Sequence, residues 1–113
     1  MHTQNQELRS VIDACTQCAI ECEECFAHDI ADEDRMNCAR ANVDCARACW
    51  ETASALARSS PFSFQYCGHC AALCDGCAEV CSQYDNEHCK HCAELCRECA
   101  RKCREFAHME VGA

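Results

Sequence analysis

The residues of this chain that could do chemistry are cysteines that recur every three or four positions. Cys15, Cys18, Cys22 and Cys25 form one run, Cys67, Cys70, Cys74, Cys77 and Cys81 a second, and Cys89, Cys92, Cys96, Cys99 and Cys103 a third. These runs hold fourteen of the seventeen cysteines in 113 residues; Cys38, Cys45 and Cys49 make a sparser fourth set. Steps of three and four are the repeat of one helix face, so a stripe that would ordinarily carry leucine carries thiols. Pairs such as Cys18/Cys22, Cys45/Cys49, Cys70/Cys74, Cys77/Cys81, Cys92/Cys96 and Cys99/Cys103 stand four apart. Their Cβ atoms would lie about 5–6 Å apart, close enough for two sulfurs to hold one metal ion. One helix offers two sulfurs per ion readily, and four only with help from its neighbours. That favours an ion content with two or three thiolates, and Cu(I) is the soft ion that thiolate and thioether ligands select. Zn²⁺ accepts thiolate but almost always takes four ligands in structural sites. A zinc or mixed-metal thiolate buffer is therefore the alternative reading. A single structural or catalytic site would need far fewer cysteines, so capacity explains their number best.

Other cysteine chemistries fit less well. A ferredoxin-type cluster needs C-x₂-C-x₂-C-x₃-C-P, which no run matches. Zinc fingers need paired knuckles separated by a loop, whereas these stripes are continuous. A catalytic thiol needs one activated cysteine beside a base, and nothing singles out one of seventeen, so the chain reads as a binding protein and not an enzyme. A redox protein that cycles disulfides would need exposed cysteines of low pKa, whereas helix phase turns these inward. A disulfide scaffold suits secreted chains; the odd cysteine count, three glycines and one proline argue against it.

Four helices must position the stripes, over about residues 5–28, 33–58, 62–82 and 87–108. The inward face of the first reads Leu8, Val11, then its four cysteines, and that of the second reads Cys38, Ala41 or Asn42, Cys45, Cys49 and Leu56. Acidic residues 29–34 supply helix caps, and Pro61 after Ser59 and Ser60 is the clearest break. A shift of 52 residues lays Cys15, Cys18, Cys22 and Cys25 onto Cys67, Cys70, Cys74 and Cys77, and a shift of 51 lays Cys38 and Cys45 onto Cys89 and Cys96. The chain thus reads as two related helical hairpins in one domain, residues 1–113. Short connections force antiparallel neighbours. The expected fold is all-α, an up-down-up-down four-helix bundle with a cysteine-lined core.

Composition narrows the partners. A formal charge of −9 argues against nucleic acid, because phosphate binding needs clustered Lys and Arg. No stretch approaches the ~20 apolar residues of a membrane span, so no membrane partner is expected. Residues 1–9 are polar and lack the apolar core of a signal peptide, which predicts a cytoplasmic protein with reduced thiols.

The recurrence of C-x₂-C-x₃-C-x₂-C at one phase on several helices of a short chain resembles the bacterial copper storage proteins, and the polar start resembles their cytosolic branch. The resemblance spans Leu8 to His108. It implies a four-helix bundle, a homotetramer, and many Cu(I) ions held by thiolates along the interior, protecting against copper toxicity and supplying copper enzymes. Ala41 and Ala48 interrupt the second stripe.

The bundle ends differ. Leu8, Val11, Leu56, Phe64 and Phe106 gather at one end as an apolar plug, while His28, Met36, His88 and His91 gather at the other with Asp29 and Tyr84 nearby. Copper is expected to enter at this polar end. His28 stands three beyond Cys25 and His88 four before Cys92; with Met36 these are the expected auxiliary ligands beside the seventeen cysteines. His91 sits one position off the stripe, and His69 and His108 read as surface residues. An outward stripe of Ala39, Val43, Ala46, Trp50 and Ala57 on the second helix, with Gly68, Ala72 and Gly76 on the third, suggests self-association.

Overall fold

Alanine and unbranched residues dominate the segments between the breaks, and these are strong helix formers. The computed structural model describes the backbone of residues 2–112 and the side chains of residues 6–109. It contains α1 (His2–Asp29), α2 (Met36–Ala57), α3 (Ser63–Cys81) and α4 (Glu87–Gly112), with a 3₁₀ turn, Glu33–Arg35, leading into α2. Asp32 caps that turn, its carboxylate accepting from the Asp34 backbone N–H at 2.9 Å. α1 and α4 extend past the span of the apolar pattern, to His2 and Gly112.

α2 stops at a left-handed residue. Ser59 has φ 57°, the Ser60 N–H reaches back to the Ala55 carbonyl at 2.9 Å, and the Ser59 N–H reaches the Leu56 carbonyl at 3.1 Å. This is the Schellman closure, usually built on glycine. Pro61 follows and prevents the helix from resuming. Ser60 then starts the next element: its hydroxyl accepts from the Phe62 N–H at 3.0 Å and its carbonyl accepts from the Ser63 hydroxyl at 2.7 Å.

Short turns make sequential helices antiparallel neighbours, and α1 closes the ring against α4. The molecule extends 47 × 21 × 19 Å, close to the ~42 Å length of a 28-residue helix. Between the helices run alanines at a seven-residue repeat: Ala39, Ala46 and Ala53 on α2, Ala71 and Ala78 on α3, Ala93 and Ala100 on α4, all buried. Their small side chains bring the backbones close and leave the axis to the cysteines.

Ala39 and Ala46 thereby depart from the expected outward stripe of α2, each being about 1% exposed. A bundle helix touches two neighbours, so its buried arc is wider than its cysteine stripe. Trp50 and Ala57 do face outward, and Val43 is half-buried. Gly68, Ala72 and Gly76 of α3 are exposed, with open space around both glycines.

Candidate metal centre

All seventeen cysteines are buried and free. They line the bundle axis from the plug to the polar end. At the plug, Phe64 and Phe106 stack at 5.1 Å, over buried Val11 and Leu56. Next come Cys15, Cys67, Cys70, Cys99 and Cys103, with Cys15 Sγ 3.7 Å from Cys103 Sγ and 3.8 Å from Cys99 Sγ. The middle of the tube holds Cys18, Cys22, Cys45, Cys49, Cys74 and Cys96. There Cys45 stands 3.6 Å from Cys74 and 3.8 Å from Cys96, and Cys18 stands 3.7 Å from Cys96. Towards the polar end, Cys22 meets Cys92 at 3.7 Å and Cys77 meets Cys81 at 3.9 Å. Cys25 lies 3.9 Å from both Cys38 and Cys89. The shortest separation is between Cys38 and Cys81, at 2.9 Å.

Sets of four sulfurs lie mutually within 4.8 Å: Cys15/Cys70/Cys99/Cys103, Cys18/Cys45/Cys49/Cys74, Cys18/Cys22/Cys45/Cys96, Cys22/Cys77/Cys92/Cys96 and Cys49/Cys70/Cys74/Cys99. Each set draws on three helices, and each shares at least one member with another: Cys49/Cys70/Cys74/Cys99, for example, joins the first two through Cys70 and Cys99 on one side and Cys49 and Cys74 on the other. A metal–sulfur bond about 2.3 Å long spans any of these pairs that lies within roughly 4.6 Å. The sulfurs thus form one continuous array of potential metal donors along the tube.

Asn42 occupies the gap that Ala41 leaves. It is fully buried. Its Oδ1 accepts from the thiols of Cys77 at 3.3 Å, Cys81 at 3.6 Å and Cys92 at 3.6 Å, and its Nδ2 donates to Cys38 Sγ at 3.8 Å. Asn42 stands four after Cys38 and three before Cys45. That spacing puts it in the stripe, and of the two candidates Ala41 and Asn42 it is Asn42 that turns inward.

At the polar end the inward position belongs to Asp29, not His28. Asp29 is 0% exposed. Its carboxylate accepts from Cys25 Sγ at 3.4 Å and from Cys89 Sγ at 3.8 Å, and its Oδ1 lies 3.0 Å from His88 Nε2. Four residues past Cys25 bring a side chain about 40° from the stripe, whereas three bring it about 60° to the other side. His28 sits on the rim, exposed, with its ring stacked on His88 at 4.5 Å. Met36 is half-buried at the start of α2. His91 is exposed between Glu21 and Glu94, 3.6 Å from each. His69 and His108 are exposed.

Burial in a medium that disfavours charge pushes the thiols up. Cys89 rises to about 12, first through burial and then through the negative charges of Cys25 and Asp29. Cys67 is also raised, by its hydrogen bond with Cys103 and then by burial. A thiol that receives hydrogen bonds moves the other way: Cys99 falls to about 7, mainly through Cys103. Cys18, Cys25, Cys45, Cys70 and Cys77 are lowered in the same way, by hydrogen bonds with neighbouring thiols, and an entering cation must displace the protons that the raised thiols hold.

Helices, thiols and closed plug together define a class of protein: a helical bundle that carries an array of soft-metal donors inside its core. Residues 4–108 match the family described as copper storage protein. Over 85 residues the chain is 32% identical to the uncharacterized cysteine-rich protein YhjQ of Bacillus subtilis, covering 73% of this chain and 79% of that protein. It superposes on the Cu(I)-bound copper storage protein BsCsp3 of Bacillus subtilis at TM-score 0.85 and 32% identity, covering 89% of this chain and 98% of that one. It superposes on a cytosolic copper storage protein from Streptomyces lividans carrying five coppers at TM-score 0.90 and 28% identity, covering 96% and 98%. The chain belongs to the copper storage protein family.

Proposed function

We propose that this protein stores Cu(I) in its thiol core, limiting copper toxicity in the cytosol and holding a reserve for copper enzymes. The overlapping four-sulfur sets carry this reading. A thiolate shared between two Cu(I) ions, each held by two or three sulfurs, gives close to one ion per cysteine; four-coordinate Zn²⁺ would fill about a quarter as many places. Copper-bound relatives favour the copper reading over a zinc buffer. Storage, not catalysis, suits an array in which most thiols face only other thiols. Among the described residues no helix is long and apolar enough to cross a membrane.

The ligands would be the seventeen cysteines, with His88 and His28 at the polar mouth and Met36 beside it as auxiliaries during entry. The phenylalanine plug leaves the polar end as the port. An anaerobic titration with Cu(I) against a chromophoric competitor reads the capacity. Well over ten ions per chain are expected, and saturation at one or two would defeat the storage reading.

The outward faces support self-association, as the tetrameric resemblance implies. Trp50 is 41% exposed, its indole N–H donating to Glu23 Oε2 at 3.2 Å, and the Gly68/Ala72/Gly76 face of α3 leaves room for a close neighbour. Sedimentation velocity should give a multiple of the 12.6 kDa chain mass, four times it for the tetramer. A single monomer boundary at micromolar concentration would remove the idea.

A further inference from the structure

The route into the tube is shut. Cys25, Cys38, Cys81 and Cys89 are the thiols nearest the polar end, and each is fully buried, as is Asp29 beside them. The far end is closed by the stacked phenylalanines. An ion reaches sulfur only if something at the polar end moves. Two connections cross that end, residues 30–35 between α1 and α2 and residues 82–86 between α3 and α4. Arg35 joins them. Its Nε lies 3.3 Å from Asp32 Oδ2 and its Nη1 3.9 Å from Asp29 Oδ1. Across the mouth, Asn86 presents its amide oxygen to the guanidinium and accepts from Nε at 3.1 Å and from Nη2 at 2.8 Å. We propose that Arg35 is a latch: its guanidinium holds the two connections together over the port and sets the rate at which Cu(I) enters and leaves, without touching the metal. This rests on the reading of the polar end as the port of a copper store.

Its place in the chain suits the task. Arg35 ends the 3₁₀ turn one residue before α2, and Asp29 ends α1. Asn86 stands one residue before α4, its carbonyl accepting from the Lys90 N–H at 3.1 Å. Three helix ends thus meet on one side chain. The planar guanidinium offers five donors in fixed directions, so it faces a carboxylate and an amide oxygen together, a geometry the compact ammonium of lysine does not reproduce. It has no lone pair for a metal and is therefore no ligand. It also sits on a segment free to move, because connections open locally at lower cost than helix interiors. His88, also over the port, is carried by α4 itself.

The contacts are strong enough to hold and weak enough to release. Arg35 is 31% exposed and only loosely paired with the Asp29 oxygen, so water and salt screen that attraction. Two features keep the latch closed most of the time. Asn86 bonds to a charged donor, and the buried carboxylate of Asp29 has Arg35 as a permanent cation nearby. Swinging Arg35 outward admits water to Asp29 and to the thiols behind it, Cys25 and Cys89, which lie 3.4 and 3.8 Å from the carboxylate. Transfer then runs in proportion to the open fraction. A latch that closes alike over the empty and the filled tube changes loading and unloading by one factor and leaves affinity and capacity alone.

The test is copper exchange by stopped-flow absorbance on the full-length, reduced protein without oxygen. Loading starts from Cu(I) bound to bathocuproine disulfonate, a chromophoric chelator, and unloading uses an excess of the same chelator. Asn86→Ala keeps the guanidinium and cuts its contact across the mouth, while Arg35→Lys keeps the charge and loses the fork. Both should load and unload at least about fivefold faster than wild type, the factor that corresponds to about one hydrogen bond, with the competition equilibrium and the final capacity unchanged. Arg101→Gln removes one positive charge from an exposed ion pair elsewhere on α4 and should exchange like wild type. Amide hydrogen exchange of the two latch variants should quicken over residues 30–36 and 82–87 only; quickening throughout the helices would mean general loss of stability and would overturn the latch. Rates like wild type in Asn86→Ala and Arg35→Lys, a shifted competition equilibrium, or an equal acceleration in Arg101→Gln would overturn it as well. Wild-type capacity is read in the same runs, so a tube that fills with copper while the variants exchange like wild type loses the latch and keeps the store, whereas saturation at one or two ions loses both.

Discussion

Raising the pH of the reduced, metal-free protein from about 9 to about 11 is expected to unfold it. An unfolded cysteine ionises near its ordinary value of 9, whereas Cys89 in the fold holds its proton up to about 12. Between those two values the native state binds more protons than the unfolded chain, so stability falls as pH rises. Below pH 9 Cys89 is protonated in both states and its contribution to the slope vanishes. Each such thiol contributes a slope of about 1.4 kcal/mol per pH unit. Cys67 is raised in the same direction, and a third thiol of the same kind would bring the slope to about 4 kcal/mol per unit. A small domain holds only about 5–15 kcal/mol in total. This one has a weak apolar reserve, since Leu56 is the largest of its fully buried side chains and the rest of the core is mostly cysteine and alanine. Far-UV circular dichroism against pH, under reductant, reads the outcome. A helical signal unchanged to pH 11 would mean that the thiols ionise inside the fold without penalty.

Copper loading should remove that weakness. Metal binding replaces the thiol proton, so the loaded protein has no proton left to lose over the same pH range, and ligand binding to the native state alone adds stability by mass action. At free Cu(I) a thousandfold above the dissociation constant, each independent ion contributes about 4 kcal/mol. For a chain of this size 1 kcal/mol moves Tm by about 4–8 °C. Even two ions should therefore raise Tm by more than about 30 °C, and a filled tube should show no transition below boiling. Calorimetry of metal-free and loaded protein makes the comparison. Midpoints within a few degrees of each other would show copper bound to the surface or equally to the unfolded chain.

Much of this architecture is legible in the order of residues. Cysteines at steps of three and four fix a helical phase, their recurrence at shifts of 52 and 51 pairs the hairpins, and Pro61 marks the central break. The all-α bundle and its sulfur-lined core follow from those features. Phase alone is coarser at the ends and flanks. His28 and Asp29 straddle the extended stripe, and the imidazole draws attention as a ligand while the carboxylate takes the inward place at 0% exposure. Ala41 and Asn42 straddle it in the same way, and Asn42 turns in because its amide answers four thiols. Ala39 and Ala46 look outward relative to the cysteines of α2 but pack between helices, because a second neighbour buries an arc that one stripe does not reveal. Cross-tube distances such as Cys38 to Cys81 depend on the register set by the turns, which no periodicity within one helix encodes.

Anomalous diffraction at the copper edge, from crystals of the loaded protein, tests the storage reading most directly. A file of copper peaks along the bundle axis is expected, each within about 2.3 Å of two or three sulfurs and running up to Cys25 and Cys89 at the polar mouth. Peaks confined to the outer surface, or a core in which the sulfurs are joined to each other and hold no metal, would contradict it.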